Sequence, residues 1–354
     1  MKILSIKTNT SFGRNQLIDF LRGGATFLVL LQHAAFPMGH YILAFHMPLF
    51  FMISGYLEYT TGKLQASSFK TFLKKKFLRY IVPYFAFETI NLLLWILRCL
   101  IEHEQLPGIE SITAILTCTN QSFTGLYGRL WFLPCLFFAE IYVWLILKWF
   151  KNNRFAQILS ILGLFSLSFI TTRLPFKLFF TVDTAFFAAA FIMIGFCFGN
   201  AINVLLQKGN DIAKIVLACF GLGFLVYAHL DTGAYVYMYI NSYGEYTVSI
   251  CGAVFGCIAF FIIGEYLYRI IKRIALINNF VLWYGNNSLA TFPVHLAIKA
   301  FILWYVPVLS PWYFLFPVMM ILNVPIVNLI TNYLPFFLGR WYTRSGKKKA
   351  TISQ

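Results

Sequence analysis

The sequence predicts an all-α, polytopic integral membrane protein of about ten transmembrane helices, and three observations carry that prediction. Of 354 residues, 60% are hydrophobic and 11% charged, where a soluble domain carries about 25% charged residues. Mean hydropathy is +0.74, more apolar surface than one water-facing core could hide. Ten apolar runs long enough to cross a bilayer lie near residues 17–36, 42–62, 79–102, 126–149, 155–172, 183–203, 212–230, 246–268, 281–305 and 312–338.

Charge orients these runs. With the N-terminus in the cytoplasm, 22 of the 28 Lys and Arg residues fall in cytoplasmic segments. They come from residues 1–16, from the loop carrying Lys63, Lys70, Lys74, Lys75, Lys76 and Arg79, from three later loops, and from the basic tail 340–354. Arg22 and Arg98 lie within helices, and only Arg129, Arg173, Lys177 and Lys299 fall near the outer side. The positive-inside rule therefore places both termini in the cytoplasm of a cell-membrane protein. It also accounts for the net charge of +16, so no nucleic-acid partner is expected. The longest outer loop, Glu102 to Gly128, is long enough to cover a site but too short for a separate domain. The whole chain, 1–354, reads as a single transmembrane domain.

Seven cysteines lie mostly inside apolar runs with no C-x-x-C spacing, which favours buried thiols over a disulfide frame or a metal site. No metal is expected. The polar, basic start MKILSIKTNTSFGRNQ lacks the short apolar core of a cleaved signal peptide.

The chemistry concentrates in the first two runs. Arg22 and His33 stand 11 residues apart, which on a helix is about 16 Å of rise and about 20° beyond three full turns. They share one face, the arginine near the cytoplasmic end and the histidine deep inside. Ionisable residues in lipid are costly and face a site or a partner. A guanidinium at the cytoplasmic mouth suits a phosphorylated molecule. A histidine further along the face can serve as general base on a hydroxyl or carry an acyl group. A ligand with an anionic head and a long thin arm ending in a reactive group fits that spacing, and acyl-coenzyme A thioesters have that shape. His46, at similar depth on the second run, strengthens the reading.

The same residues carry a family resemblance. Arg22-x10-His33, followed by Phe45-His46-Met47-Pro48-Leu49-Phe50-Phe51-Met52-Ile53-Ser54-Gly55-Tyr56-Leu57, resembles the signature of the membrane acyltransferase 3 family. These are bacterial multi-helix O-acyltransferases that modify cell-surface sugars, and the chain is similar to their fucose 4-O-acetylase type, which has no fused hydrolase domain. Lys76-Phe77-Leu78-Arg79 with Pro83-Tyr84 is like the basic start of the family's third helix. Leu130-Trp131-Phe132-Leu133 with Glu140 is like the fourth helix, and Gly285-Asn286-Asn287-Ser288-Leu289 through His295 is like a late segment.

The resemblance implies transfer of an acyl group, usually acetyl, from acetyl-CoA or another acyl-CoA to a hydroxyl of a glycan or lipid-linked sugar. It assigns catalysis to His33 and the coenzyme phosphates to Arg22, Lys76 and Arg79. His46, Trp131, Glu140, Ser288 and His295 become substrate-binding or supporting residues. The family often has Arg-x-x-Arg where this chain has Lys76, which keeps the charge but loses the bidentate fork. Glu88 and Glu140 sit inside apolar runs and need partners. The alternative class is a transporter or flippase for a lipid-linked glycan that uses the same His and Arg as contacts; the chain lacks the paired broken segments of inverted-repeat transporters. The charge split has a direct readout. A fluorescent reporter that matures only in the cytoplasm is expected to be bright when fused after Gln354 and dark when inserted at Leu106.

Overall fold

The computed structural model describes residues 16–118 and 126–340. The basic N-terminal segment and nearly all of the basic tail lie outside the described residues. Helices account for almost all of what is described. They are α1 (Gln16–His33), α2 (Gly39–Thr61), α3 (Phe69–Ile101), α4 (Ile109–Thr117), α5 (Phe132–Trp149) and α6 (Arg154–Thr172). After these come α7 (Thr184–Cys197), α8 (Gly199–Gln207), α9 (Asp211–Asp231), α10 (Tyr246–Ile271), α11 (Ala275–Tyr305) and α12 (Trp312–Tyr333). Each of the ten predicted spans contains one long helix. A two-stranded antiparallel hairpin, β1 (Val236–Tyr237) and β2 (Ser242–Tyr243), joins α9 to α10.

Nine helices among the described residues are long and apolar enough to cross a membrane. The exception is α1, whose 18 residues include Asp19, Arg22 and His33. It is enclosed by α2, α10, α11 and α12. Helices α2 and α7 form the centre, whereas α3, α6, α9 and α12 turn Leu97, Leu162, Val216 and Ile321 outward, as lipid-facing helices do.

Several boundaries depart from the expected ones for physical reasons. The third span starts ten residues early because the basic turn Phe69–Lys76 runs on through a π-turn at Phe77–Ile81. Pro83 follows one residue into the next segment. Having no N–H, it cannot bond back to residue 79, and the wider turn absorbs that loss. The sixth span breaks at Phe198, and the tenth ends at Tyr333, just before Leu334-Pro335.

The outer loop also departs from expectation. It folds back into the bundle as α4, and Tyr84 Oη donates to the Ile115 carbonyl at 2.6 Å. Tyr84 lies 17 residues before the end of α3, so α4 reaches about 25 Å below that end. It turns Ile109, Ile112 and Leu116 outward.

Close backbone approach sets the register of the core. Helices α1 and α11 run parallel, and a Cβ at Gly23 or Gly285 would overlap the Val281 or Asp19 carbonyl respectively. Small residues permit such contacts, which replace the hydrophobic drive absent between helices in lipid. Gly55 and Gly195 do the same between α2 and α7.

The segments that the charge split assigns to the cytoplasm converge at one end. Tyr268 Oη bonds Gln16 at 3.2 Å, Gly339 abuts the Leu78 carbonyl, and Arg154 donates to the Cys197 carbonyl. There Lys214, 2% exposed, pairs with Glu265 at 3.3 Å, and Glu265 also takes Arg269. Removing one member of a buried ion pair strands the other and costs about 3–5 kcal/mol. Glu265→Ala is therefore expected to lose about that much stability, read as an earlier unfolding midpoint in detergent. Lys214→Met/Glu265→Leu is expected to recover most of it.

Candidate active site

Helix α1 presents its polar face to α11, and the contacts fall at two levels. At the basic end, Arg22 donates to Ser288 Oγ at 3.1 Å and lies 3.8 Å from Asp19 Oδ1, one turn back. Thr26 caps the same turn by donating to the Arg22 carbonyl at 2.9 Å. Three turns on, at the last residue of α1, the His33 ring lies 4.9 Å from that of His295, with the planes at 51°. Ten residues separate His295 from the outer end of α11 at Tyr305, about 15 Å of rise. The imidazole pair is thus well inside the bundle.

Carbonyls can only accept, so they fix which nitrogen of each neutral ring carries its proton. His295 Nδ1 bonds the Thr291 carbonyl at 3.1 Å, so it is the donor. Its Nε2 is left as a buried acceptor with no hydrogen-bond partner among the described residues. His46, 3% exposed, makes the same bond to the Ile42 carbonyl at 2.8 Å. An aromatic floor lies beneath these rings: Phe132 packs on Phe50, Phe51 and Phe292, with centroids 4.9 to 6.0 Å apart.

Two cations complete the cluster. Lys299 is one turn beyond His295 on α11, and Arg129 precedes α5; both are close enough to interact electrostatically with His33. Glu88, fully buried, accepts the amide protons of Gly128 at 2.5 Å and Leu130 at 2.8 Å. It therefore grips the backbone on both sides of Arg129. That grip also explains why α5 starts at Phe132 instead of residue 126.

The remaining expected residues form a second cluster. Lys76 Nζ meets Glu140 at 2.5 Å, and Tyr80 Oη donates to the same carboxylate at 3.0 Å. Two residues expected to act separately are thus partners. Arg79 stacks 5.7 Å from the Tyr80 ring centroid and faces Arg340 electrostatically. Trp131 stands half-buried just before α5 against Phe132, with its carbonyl 3.5 Å from Thr181 Oγ1.

Sequence reading did not assign Arg129, Lys299 or Arg340 to a site, and it treated Glu88 as a weak candidate. The i, i+4 spacing of His295 and Lys299 was available as a signal. The other contacts join segments far apart in the chain. His40 and His229 stack at 4.4 Å at the outer ends of α2 and α9.

The arrangement offers a cation at one end, imidazoles at the other, and two further cations beside them. A model of the acyltransferase domain family matches residues 15–340. The chain belongs to the acyltransferase 3 family. It is accordingly a multi-pass membrane acyltransferase. No individually curated protein matches it. Membership of this acyltransferase family sharpens the question of Lys76, which is either a donor contact or a structural partner of Glu140. Lys76→Met alone is expected to lower stability by about 3–5 kcal/mol. Lys76→Met/Glu140→Leu is expected to recover most of that loss, read as the unfolding midpoint in detergent.

Proposed function

We propose that this acyltransferase moves an acyl group, acetyl in the first instance, from acyl-CoA to a hydroxyl of a cell-surface or lipid-linked sugar at the cell membrane. One observation carries the reading: Arg22 and His33 of one helix meet Ser288 and His295 of a single neighbour. In this reading the donor lies along the α1–α11 seam, with a cation about 16 Å of helix rise from the imidazoles.

In this reading the coenzyme phosphates lie at the basic end, near Arg22, Arg79 and Arg340, and the pantetheine arm runs along α1. Arginine suits phosphate through its paired, fixed donors. His33 takes the proton of the attacking hydroxyl, and the sugar oxygen bonds to the thioester carbonyl carbon. Lys299 and Arg129 stabilise the negative charge that develops on the carbonyl oxygen. Collapse breaks the C–S bond, and the departing thiolate recovers a proton from the imidazolium, giving the sugar ester and free CoA. In the reacting state a turn of the His33 ring, 4.9 Å away by centroids, lets His295 Nε2 accept its N–H and orient it. Acyl transfer through His33 itself is the covalent variant of the same route.

The test is CoA release by purified protein given acetyl-CoA and a panel of methyl glycosides. His33→Ala is expected to abolish release. Lys299→Met is expected to lower kcat by about 10²-fold, the cost of one oxyanion donor, with a small change in KM for acetyl-CoA. Wild-type protein that releases no CoA with any acceptor, yet moves a lipid-linked glycan across vesicles, would replace this reading with transport.

A further inference from the structure

At the outer end of the bundle, away from the imidazole pair, a cavity of about 320 Å³ opens between the end of α6 and the β1–β2 hairpin. That is the lower end of the range for small-molecule sites, about 300–1,000 Å³. Its walls are of two kinds. Phe169 supplies an exposed aromatic surface, with the Arg173 guanidinium 4.8 Å from its centroid and the Tyr246 ring 5.2 Å away. Opposite lie Asn241, Ser242 and the Gly244 backbone.

Asn241 is the informative residue. It sits in left-handed backbone at φ 49° and is 7% exposed. Its Nδ2 donates to Thr171 Oγ1 at 3.3 Å, while Oδ1 is buried with no partner among the described residues. An unsatisfied buried acceptor costs about 1–3 kcal/mol, so a small turn of this side chain that brings Oδ1 to the cavity wall gains a partner once a donor occupies the cavity. Ser242 Oγ, 3.1 Å from Tyr235 Oη, adds a hydroxyl that can donate or accept.

An aromatic face beside a planar amide, a planar guanidinium and a hydroxyl matches one chemistry closely. A sugar ring has an apolar C–H face that lies on an aromatic ring and an edge of hydroxyls that both donate and accept. A phosphate would instead call for several converging cations. Here Arg173 is the one cation of the lining among the described residues. We infer that this cavity is a carbohydrate-binding subsite, holding a unit of the acceptor glycan at the outer face while another unit reaches the imidazoles. This rests on the reading of the acceptor as a glycan. The fold links the two places: β1 packs on α2, the helix that carries His46. Met238, in the hairpin turn, accepts from Thr184 at the start of α7.

The test uses the purified full chain in detergent on an array of neutral and uronate-containing oligosaccharides, with phosphatidylglycerol nanodiscs in a parallel arm. Wild-type protein is expected to be retained on at least one oligosaccharide. Asn241→Gly, which suits the left-handed backbone and removes the amide, and Arg173→Gln are each expected to weaken retention about tenfold. That is the scale of one hydrogen bond. His33→Ala is expected to keep retention. No retention on any glycan, retention indifferent to both variants, or an Arg173 dependence seen only on phosphatidylglycerol would each overturn the subsite. Acyl transfer that depends on His33 without Asn241-dependent retention sinks the subsite alone. Asn241-dependent retention without any acyl transfer keeps the subsite and sinks the transfer reading.

Discussion

The rest of the structure depends on the cost of placing α1 in hydrocarbon. A helix bearing an aspartate, an arginine and a terminal histidine cannot face lipid along that side, because each charge there costs several kcal/mol. The fold answers by surrounding it. Helix α11 lies parallel and close enough that glycine is required on both helices, and α2, α10 and α12 close the remaining sides. Enclosure solves the insertion problem, since the polar face that must avoid lipid is turned into a protein interior.

The same economy shapes the other buried charges. Glu140 neutralises Lys76, and Glu265 neutralises Lys214. Glu88 is saturated by backbone amides. Around His33 two cations, Arg129 and Lys299, lie with three imidazoles, and the Glu88 carboxylate acts on Arg129 as well as on the backbone beside it.

Much of this was legible in the sequence. Each of the ten apolar runs holds a long helix, and nine of these helices are long and apolar enough to span on their own, because a bilayer leaves the chain few other options. The shared face of Arg22 and His33 follows from helical periodicity, and both residues meet α11. What escaped the sequence was set by tertiary contact. Nothing local to residues 102–118 says that α4 turns inward, because that depends on Tyr84 reaching the Ile115 carbonyl. Nothing local to Lys76 names Glu140, 64 residues away, as its partner. The hairpin over the outer cavity was missed because strands of two residues carry no periodicity to detect.

The partnership of α1 with α11 has a consequence for how the chain is made. Arg22 is joined to Ser288, 266 residues later. At about 5–20 residues per second of synthesis, on the order of 13–53 s pass between the two leaving the ribosome. During that interval the least apolar helix of the bundle has reached the membrane without the neighbour that shelters its charge. It must wait at the insertion machinery or rest shallowly at the interface until the ninth span arrives. The first helix synthesised is thus among the last to be settled, and its contact with α11 forms only when nearly the whole chain is in place.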